Sequence, residues 1–226
     1  MRVLIKIYWS VGGNDDVVDG LPRISSRDLD ALKGVLLPGD FVVVGNNGTL
    51  SHVVVHAGGG GLIHAMATEK TMRHWKGALL DALWRALGKS DRHVGVIEEP
   101  LDAFFARFER DTWVLVRHPS LTAEECGAGL ARIRQLVGRP YDYGFSQSNQ
   151  DYYCTEIVDE FLRAALGPRA PQLQTSPTSV PMLLDAQVLE PVVLLATPGL
   201  SVVAGNRAAR LRYADRLPPE SEVSSA

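Results

Sequence analysis

Three short apolar, β-branched runs, at 41–44, 52–56 and 62–65, follow one another with little between them but turn chemistry. Pro38-Gly39-Asp40 precedes the first, Asn46-Asn47-Gly48 precedes the second, and Gly58-Gly59-Gly60-Gly61 leads into the third. Links this short join only antiparallel neighbours, because a parallel pair needs a crossover of a dozen or more residues. The chain must therefore build an antiparallel meander here. Further strand text lies at 3–8, 93–97, 112–117, 188–196 and 200–204. Between these runs, apolar residues recur at helical intervals. The stretch 75–87 carries Leu79, Leu80, Leu83, Trp84 and Leu87 on one stripe, with Gly88 as its stop, and a second helix follows Pro100 at 101–108.

Thr122-Ala-Glu-Glu125 has the spacing of a capping box, and Cys126, Leu130, Ile133 and Val137 continue it as a buried stripe up to Gly138 and Pro140. The stretch 153–166 places Ile157, Val158, Phe161, Leu162, Ala165 and Leu166 on one face and ends at Gly167-Pro168. A Pro/Ser/Thr-rich connection at 170–181 leads to the last strands. Mixed strands and helices at this length predict one α+β domain over 1–216, with 217–226 as an unstructured tail.

Charge narrows the function classes. Lys plus Arg number 23 against 26 Asp plus Glu, a net −3, too weak a field to hold nucleic acid or an anionic membrane by charge alone. Lys6 interrupts the apolar start and no small-residue cleavage site follows; Glu190, Pro191 and Pro198 interrupt the apolar stretch 188–204. No secretory signal or membrane helix is expected. Two cysteines are too few for a disulfide framework, so a reducing, cytoplasmic setting is the default.

Each thiol then needs its own account. Cys154 stands in the opening turn of the 153–166 helix, three residues before Ile157 and four before Val158, so it shares the inward stripe at its open end. The positive end of the helix dipole and its unpaired amide protons favour a thiolate there, and the same amides suit an oxyanion. The competing reading is a small apolar filler, which also describes the mid-helix Cys126. Of six histidines, His52 and His64 lie on consecutive strands. With Gly58 to Gly60 as a three-residue loop, His52 opposes Met66 and His64 is its diagonal neighbour on the same face; an even loop without a bulge would part the rings. His52 and His56 have the spacing of a zinc helix, but Val53-Val54-Val55 favours strand and no Glu follows His52, so no metal site is expected. His74, His93 and His118 read as surface or core-bonded residues. The glycine run reads as a turn, since no helix or Gly-Lys-Ser/Thr follows it to cradle phosphate.

Leu36-Leu-Pro-Gly-Asp-Phe-Val-Val-Val44, Ser51-His-Val-Val-Val-His-Ala-Gly58, Leu62-Ile-His-Ala65, Gly138-Arg-Pro-Tyr-Asp-Tyr143 and Tyr152-Tyr-Cys-Thr-Glu-Ile-Val158 together resemble the circularly permuted papain-like hydrolases. This is the YiiX/YebB-like branch of the NlpC-type superfamily, related to lecithin:retinol acyltransferase. The order is the specific part: the histidine strand precedes the nucleophile helix. The likeness covers about 35–166. It implies a permuted papain-like α+β fold, an antiparallel sheet or barrel packed against helices that include the nucleophile helix. It also implies Cys154 as nucleophile, His52 as base and His64 as the third polar residue, where acyltransferase relatives carry a second His and others Glu. Thr155 stands where Ser is common. The turn at Pro38-Gly39-Asp40 would be structural.

The implied activity is cysteine-dependent hydrolysis of an amide or ester bond through a thioester, without a cofactor, on a peptide or lipid-like acyl substrate. Acyl transfer at the same site, a non-catalytic binding module and a metal-binding protein stand as alternatives. Tyr141, Tyr143, Tyr152 and Tyr153 crowd with Phe145 just before the nucleophile and either line a substrate pocket or pack the loop against the sheet.

Overall fold

In the computed structural model, residues 24–66, 95–107, 110–142, 145, 150–177 and 187–219 are described. The strand expected at 3–8, the helix expected at 75–87, His74, His93, Tyr143 and positions 220–226 lie outside them.

The meander forms as expected. β1 (Phe41–Asn46), β2 (Thr49–Gly58) and β3 (Gly61–Met66) run antiparallel, and β4 (Gly95–Pro100), β5 (Thr112–Arg117) and β8 (Ser201–Gly205) complete a six-stranded sheet in the order β4-β3-β2-β1-β5-β8. Its two edges, β4 and β8, do not pair, so the sheet is open rather than a barrel. A separate two-stranded pair joins β6 (Ser176–Pro177) to β7 (Gln187–Val188).

Both faces of the sheet are covered, which explains why β1 and the middle of β2 read as unbroken apolar runs instead of alternating ones. Phe41, Val43, Val53 and Val55 point to one core, completed by α3 (Ala123–Arg134) and α4 (Cys154–Leu166). Val42, Val44, Val54 and Leu62 point to the other, completed by α1 (Ser26–Val35) and α2 (Leu101–Arg107). α5 (Arg207–Tyr213) closes the chain beside β5. None of the helices among the described residues is long and apolar enough to cross a membrane.

Local chemistry sets the helix starts. Thr122 and Glu125 form the expected capping box of α3, and Ser25 caps α1 by accepting the Asp28 N–H. Three expectations are corrected. Val137 is not on the buried stripe: α3 ends at Arg134, the chain turns through 135–138, and Leu136 takes the inward position while Val137 is 44% exposed. The strand expected at 188–196 is strand only at Gln187–Val188; Pro191, with fixed φ and no N–H, instead opens a 3-10 helix, Pro191–Ala196, that buries Leu194 and Leu195. Leu217, expected in a loose tail, is buried in the first core.

The turn before β1 is held from several sides. Asp40, buried, accepts Nε and Nη2 of Arg117, each at 2.7 Å, and the Leu37 N–H at 2.7 Å. The same guanidinium donates to the Val35 carbonyl at 2.8 Å. Gly39 has φ of +86°, and a Cβ there would stand 2.8 Å from Cys126 Sγ and 3.2 Å from the Phe161 ring. Cys126 is thus packing material beneath the turn, and its burial pushes the thiol pKa up. At the start of α4, the buried Glu156 accepts the Tyr153 N–H at 3.0 Å. Burial is the chief cause that pushes its pKa up to about 8, with Asp142, Asp159 and Glu160 adding repulsion against the pull of the Tyr153 N–H.

Two stability outcomes are expected. Gly39→Ala loses about 2 kcal/mol, from the disfavoured φ and the clash with Cys126, read as a lower urea midpoint at unchanged slope. For Glu156 the native pKa lies above the ordinary 4.5. Between 4.5 and about 8 the unfolded chain releases its proton first, so this group's contribution is full below 4.5 and lost as pH rises to about 8. Glu156→Gln keeps an acceptor for Tyr153 and removes the titration, so its stability advantage over the parent grows from about pH 5 to about pH 9; an advantage independent of pH refutes this.

Candidate active site

The β2–β3 hairpin turns through Gly59 and Gly60, an even loop, but its register slips by one residue between His56 and Gly58. The slip at Ala57 restores the parity that an odd loop would have given. Pairing runs Val55 with Ile63 and His56 with Leu62, which by extension sets His52 opposite Met66 and His64 on its diagonal. The ladder stops at Val55 and Ile63. Beyond it, β2 pairs only with β1 and β3 only with β4.

Across the gap the side chains take over from the backbone. His52 Nε2 lies 3.0 Å from His64 Nδ1, and His64 Nε2 lies 2.8 Å from Glu99 Oε1. Glu99 comes from β4, where it is paired with Leu62. Phe104 of α2 fixes both rings from the second core, with its centroid 6.1 Å from His52 in a stacked arrangement and 5.2 Å from His64 edge-on. His64 is fully buried and His52 is 7% exposed.

Cys154 approaches from the other core. It is the first residue of α4, with Tyr153 as N-cap, and packs in the cluster that contains Val53. The backbone N–H groups of Val53, Thr155 and Cys154 itself face its sulfur, and Thr155 Oγ1 is 3.8 Å away. The Val53 amide belongs to the peptide that joins it to His52. The sulfur therefore rests on the backbone of the histidine strand, while the His52 ring turns to the opposite face, and no hydrogen bond links sulfur and imidazole.

Electrostatics corrects one expectation. A thiol at a helix start was expected to favour thiolate, but burial dominates and pushes the Cys154 pKa up, against the smaller pull of Thr155 and the three amides. His52 moves the other way, well below its ordinary 6.5, because of burial first, then the repulsion it would meet from His64 whenever that ring is protonated, and then the buried Arg110. The two groups rest as neutral thiol and neutral imidazole.

The tyrosines divide. Tyr141 and Tyr153 belong to the core; Tyr153 meets Phe145 at a tilt of 58° with centroids 4.9 Å apart, and its phenol oxygen accepts the Leu189 N–H at 3.0 Å. Tyr152 is half-buried and bridges to Tyr141. His56, the other half of the zinc-like spacing, instead donates Nδ1–H to the Leu37 carbonyl at 2.9 Å. Among the described residues, three or more His, Cys, Asp or Glu side chains nowhere gather to hold a metal ion. An open cleft of about 1120 Å³ lies along the later turns of α4 beside Asp159, Arg163 and Leu173 and includes neither Cys154 nor His52. Glu99 was missed in the sequence because its link to His64 spans 35 positions and leaves no periodic signal.

Comparison with known proteins gives the same direction. A family model described as permuted papain-like amidase enzyme, YaeF/YiiX, C92 family, matches residues 86–193, a span that includes Cys154 and Glu99 but not His52 or His64. The uncharacterized protein YiiX of Escherichia coli K12 is 32% identical over 76 residues, 33% of this chain and 38% of that protein. A crystal structure described as metalloprotein yiiX from Escherichia coli O157:H7 covers 75% of this chain and 97% of its own at 21% identity, with a TM-score of 0.49. Over residues 86–193, a little under half of its length, the chain is similar to the YiiX-like permuted papain-like family.

Proposed function

We propose that this chain hydrolyses an amide or ester bond through a thioester on Cys154, with His52 as base and His64 as the residue that orients it, on a peptide or lipid-like acyl substrate. The observation that carries this reading is that consecutive residues of β2 serve the two groups: the Val53 N–H faces the Cys154 sulfur on one face, and His52, the residue before it, has Nε2 held by His64 at 3.0 Å on the other. That contact leaves Nδ1 of His52 as the nitrogen for the thiol. The amidase description of the family model supports the reaction class.

Cys154 turns about its Cα–Cβ bond to bring sulfur to the gap. Nδ1 of His52 takes the thiol proton as sulfur bonds to the carbonyl carbon, and the oxygen becomes an oxyanion facing the amides at the head of α4. Collapse expels the amine or alcohol, which leaves with the proton from His52, and a thioester remains. A water then gives its proton to His52 and attacks the thioester; sulfur departs, recovers the proton, and the acid is released. Because thiol and imidazole start neutral, His52 works as a general base rather than as half of a standing ion pair.

Intact-mass measurement after exposure to p-nitrophenyl esters and p-nitroanilides of graded chain length tests this. The expected result is one acyl group on Cys154, absent in Cys154→Ala, with acylation slowed about 10²- to 10⁴-fold in His52→Ala and about 10- to 100-fold in His64→Ala. Turnover undiminished in Cys154→Ala rejects the mechanism. The pKa directions add a pH test: His52 loses its proton below 6.5 and the thiol keeps its own above 9.0, so kcat/KM is level between these values. A titration limb falling between 6.5 and 9.0 contradicts the neutral pair.

A further inference from the structure

We infer that Glu99 is a positioning residue that selects the tautomer of His52 through His64; the inference rests on the proposed role of His52 as base. Two contacts in series fix where the hydrogens sit. An ionised carboxylate only accepts, so Glu99 Oε1, 2.8 Å from His64 Nε2, requires the proton of His64 to sit on Nε2. Nδ1 of a neutral His64 then carries a lone pair and accepts at 3.0 Å from His52 Nε2. His52 thereby holds its proton on Nε2 and presents an unprotonated Nδ1, the form needed to take a proton from sulfur.

Without the carboxylate the order has no fixed direction. A neutral His64 could carry its proton on Nδ1 and donate to His52 Nε2, which would move the His52 proton to Nδ1 and blind the base. Several features suit Glu99 to this task. Its side chain is only 11% exposed and that of His64 not at all, so water competes poorly for the bond. The neighbouring Glu98 points to the opposite face and pairs with Arg134 of α3, so the two adjacent carboxylates serve different faces. Phe104 fixes the planes of both rings, leaving the proton position as the variable that Glu99 decides. When His52 becomes imidazolium in the reaction, the same chain sets a negative charge two bonds of the relay away.

The test uses Glu99→Gln in the full chain, with ring nitrogens of the histidines labelled by ¹⁵N and read by NMR, beside kcat and KM for an ester that acylates the parent. In the parent, His52 is expected in the Nε2–H form. In Glu99→Gln the Nδ1–H form of His52 gains population, kcat falls about 10- to 100-fold, and KM holds. Glu99→Asp, which keeps the charge on a shorter arm, recovers part of kcat. An unchanged His52 tautomer in Glu99→Gln overturns the inference, whatever happens to rate. If the parent forms no acyl-Cys154, the proposed reaction fails, yet the nitrogen spectra still decide whether Glu99 sets the tautomer. The spectra also separate positioning from a loss of folding, since an unfolded chain gives both histidines the averaged signals of free imidazole.

Discussion

The structure depends on where one backbone ladder ends. β2 and β3 pair from the hairpin to Val55 and Ile63 and then part, so the groups they would have exchanged beyond that point must find other partners in a buried region, while each strand stays paired on its far side. Buried polar groups must find other partners, and here they do: the Val53 N–H faces the Cys154 sulfur and His52 reaches His64. Had the ladder continued, the Val53 amide would have been consumed by β3 and the sulfur would have met only closed sheet. The one-residue slip at Ala57 matters equally, because it decides the face on which His52 and His64 emerge.

Burial then decides the resting chemistry. A helix start and three nearby amides all favour a thiolate at Cys154, but each contributes little beside the cost of placing a charge out of water, and the net direction is upward. The imidazole experiences the same penalty with opposite sign, reinforced by Arg110. Enclosure therefore keeps both groups neutral at rest. In the proposed reaction, charge separation waits until a substrate carbonyl can share it, at the moment when oriented amides have something to stabilise.

Much of this was legible in the residues and part was not. The meander, the capping box of α3, β5 over 112–117 and the helix led by Cys154 follow from turn chemistry and short-range periodicity, which act within a few residues. The pairing of His52 with His64 was also readable, though through an assumed odd loop; the molecule reaches the same parity with an even turn and a slip, a detail four consecutive glycines do not encode. α1 went unseen because its apolar face is sparse: Leu32 is its one fully buried residue, with Leu29 and Val35 packed only in part. Val137 and the 188–196 segment failed for a shared reason: an apolar residue continues a pattern only while the backbone does, and the turn at 135–138 and Pro191 change the backbone. The arrangement of Cys154 and His52 on opposite faces is a tertiary fact. Strand alternation predicts the face of His52 relative to Val53, but which face α4 would cover is settled by packing alone.

Covering the sheet on both sides is what makes such a site feasible. One layer of helices seats Cys154 and the other holds the rings, so neither group has to compete with the other for space or for partners at the same surface. The elements are anchored separately: α4 through Tyr153 to Leu189 and through Arg132 of α3 to Glu160, and the histidine strand through β1 to the Asp40–Arg117 pair. The two sets of anchors touch where the Gly39 turn and Phe41 pack on Phe161 of α4. Such a gap requires only that a helix start arrive from one face and a histidine from the other, so its geometry does not depend on which comes first in the chain.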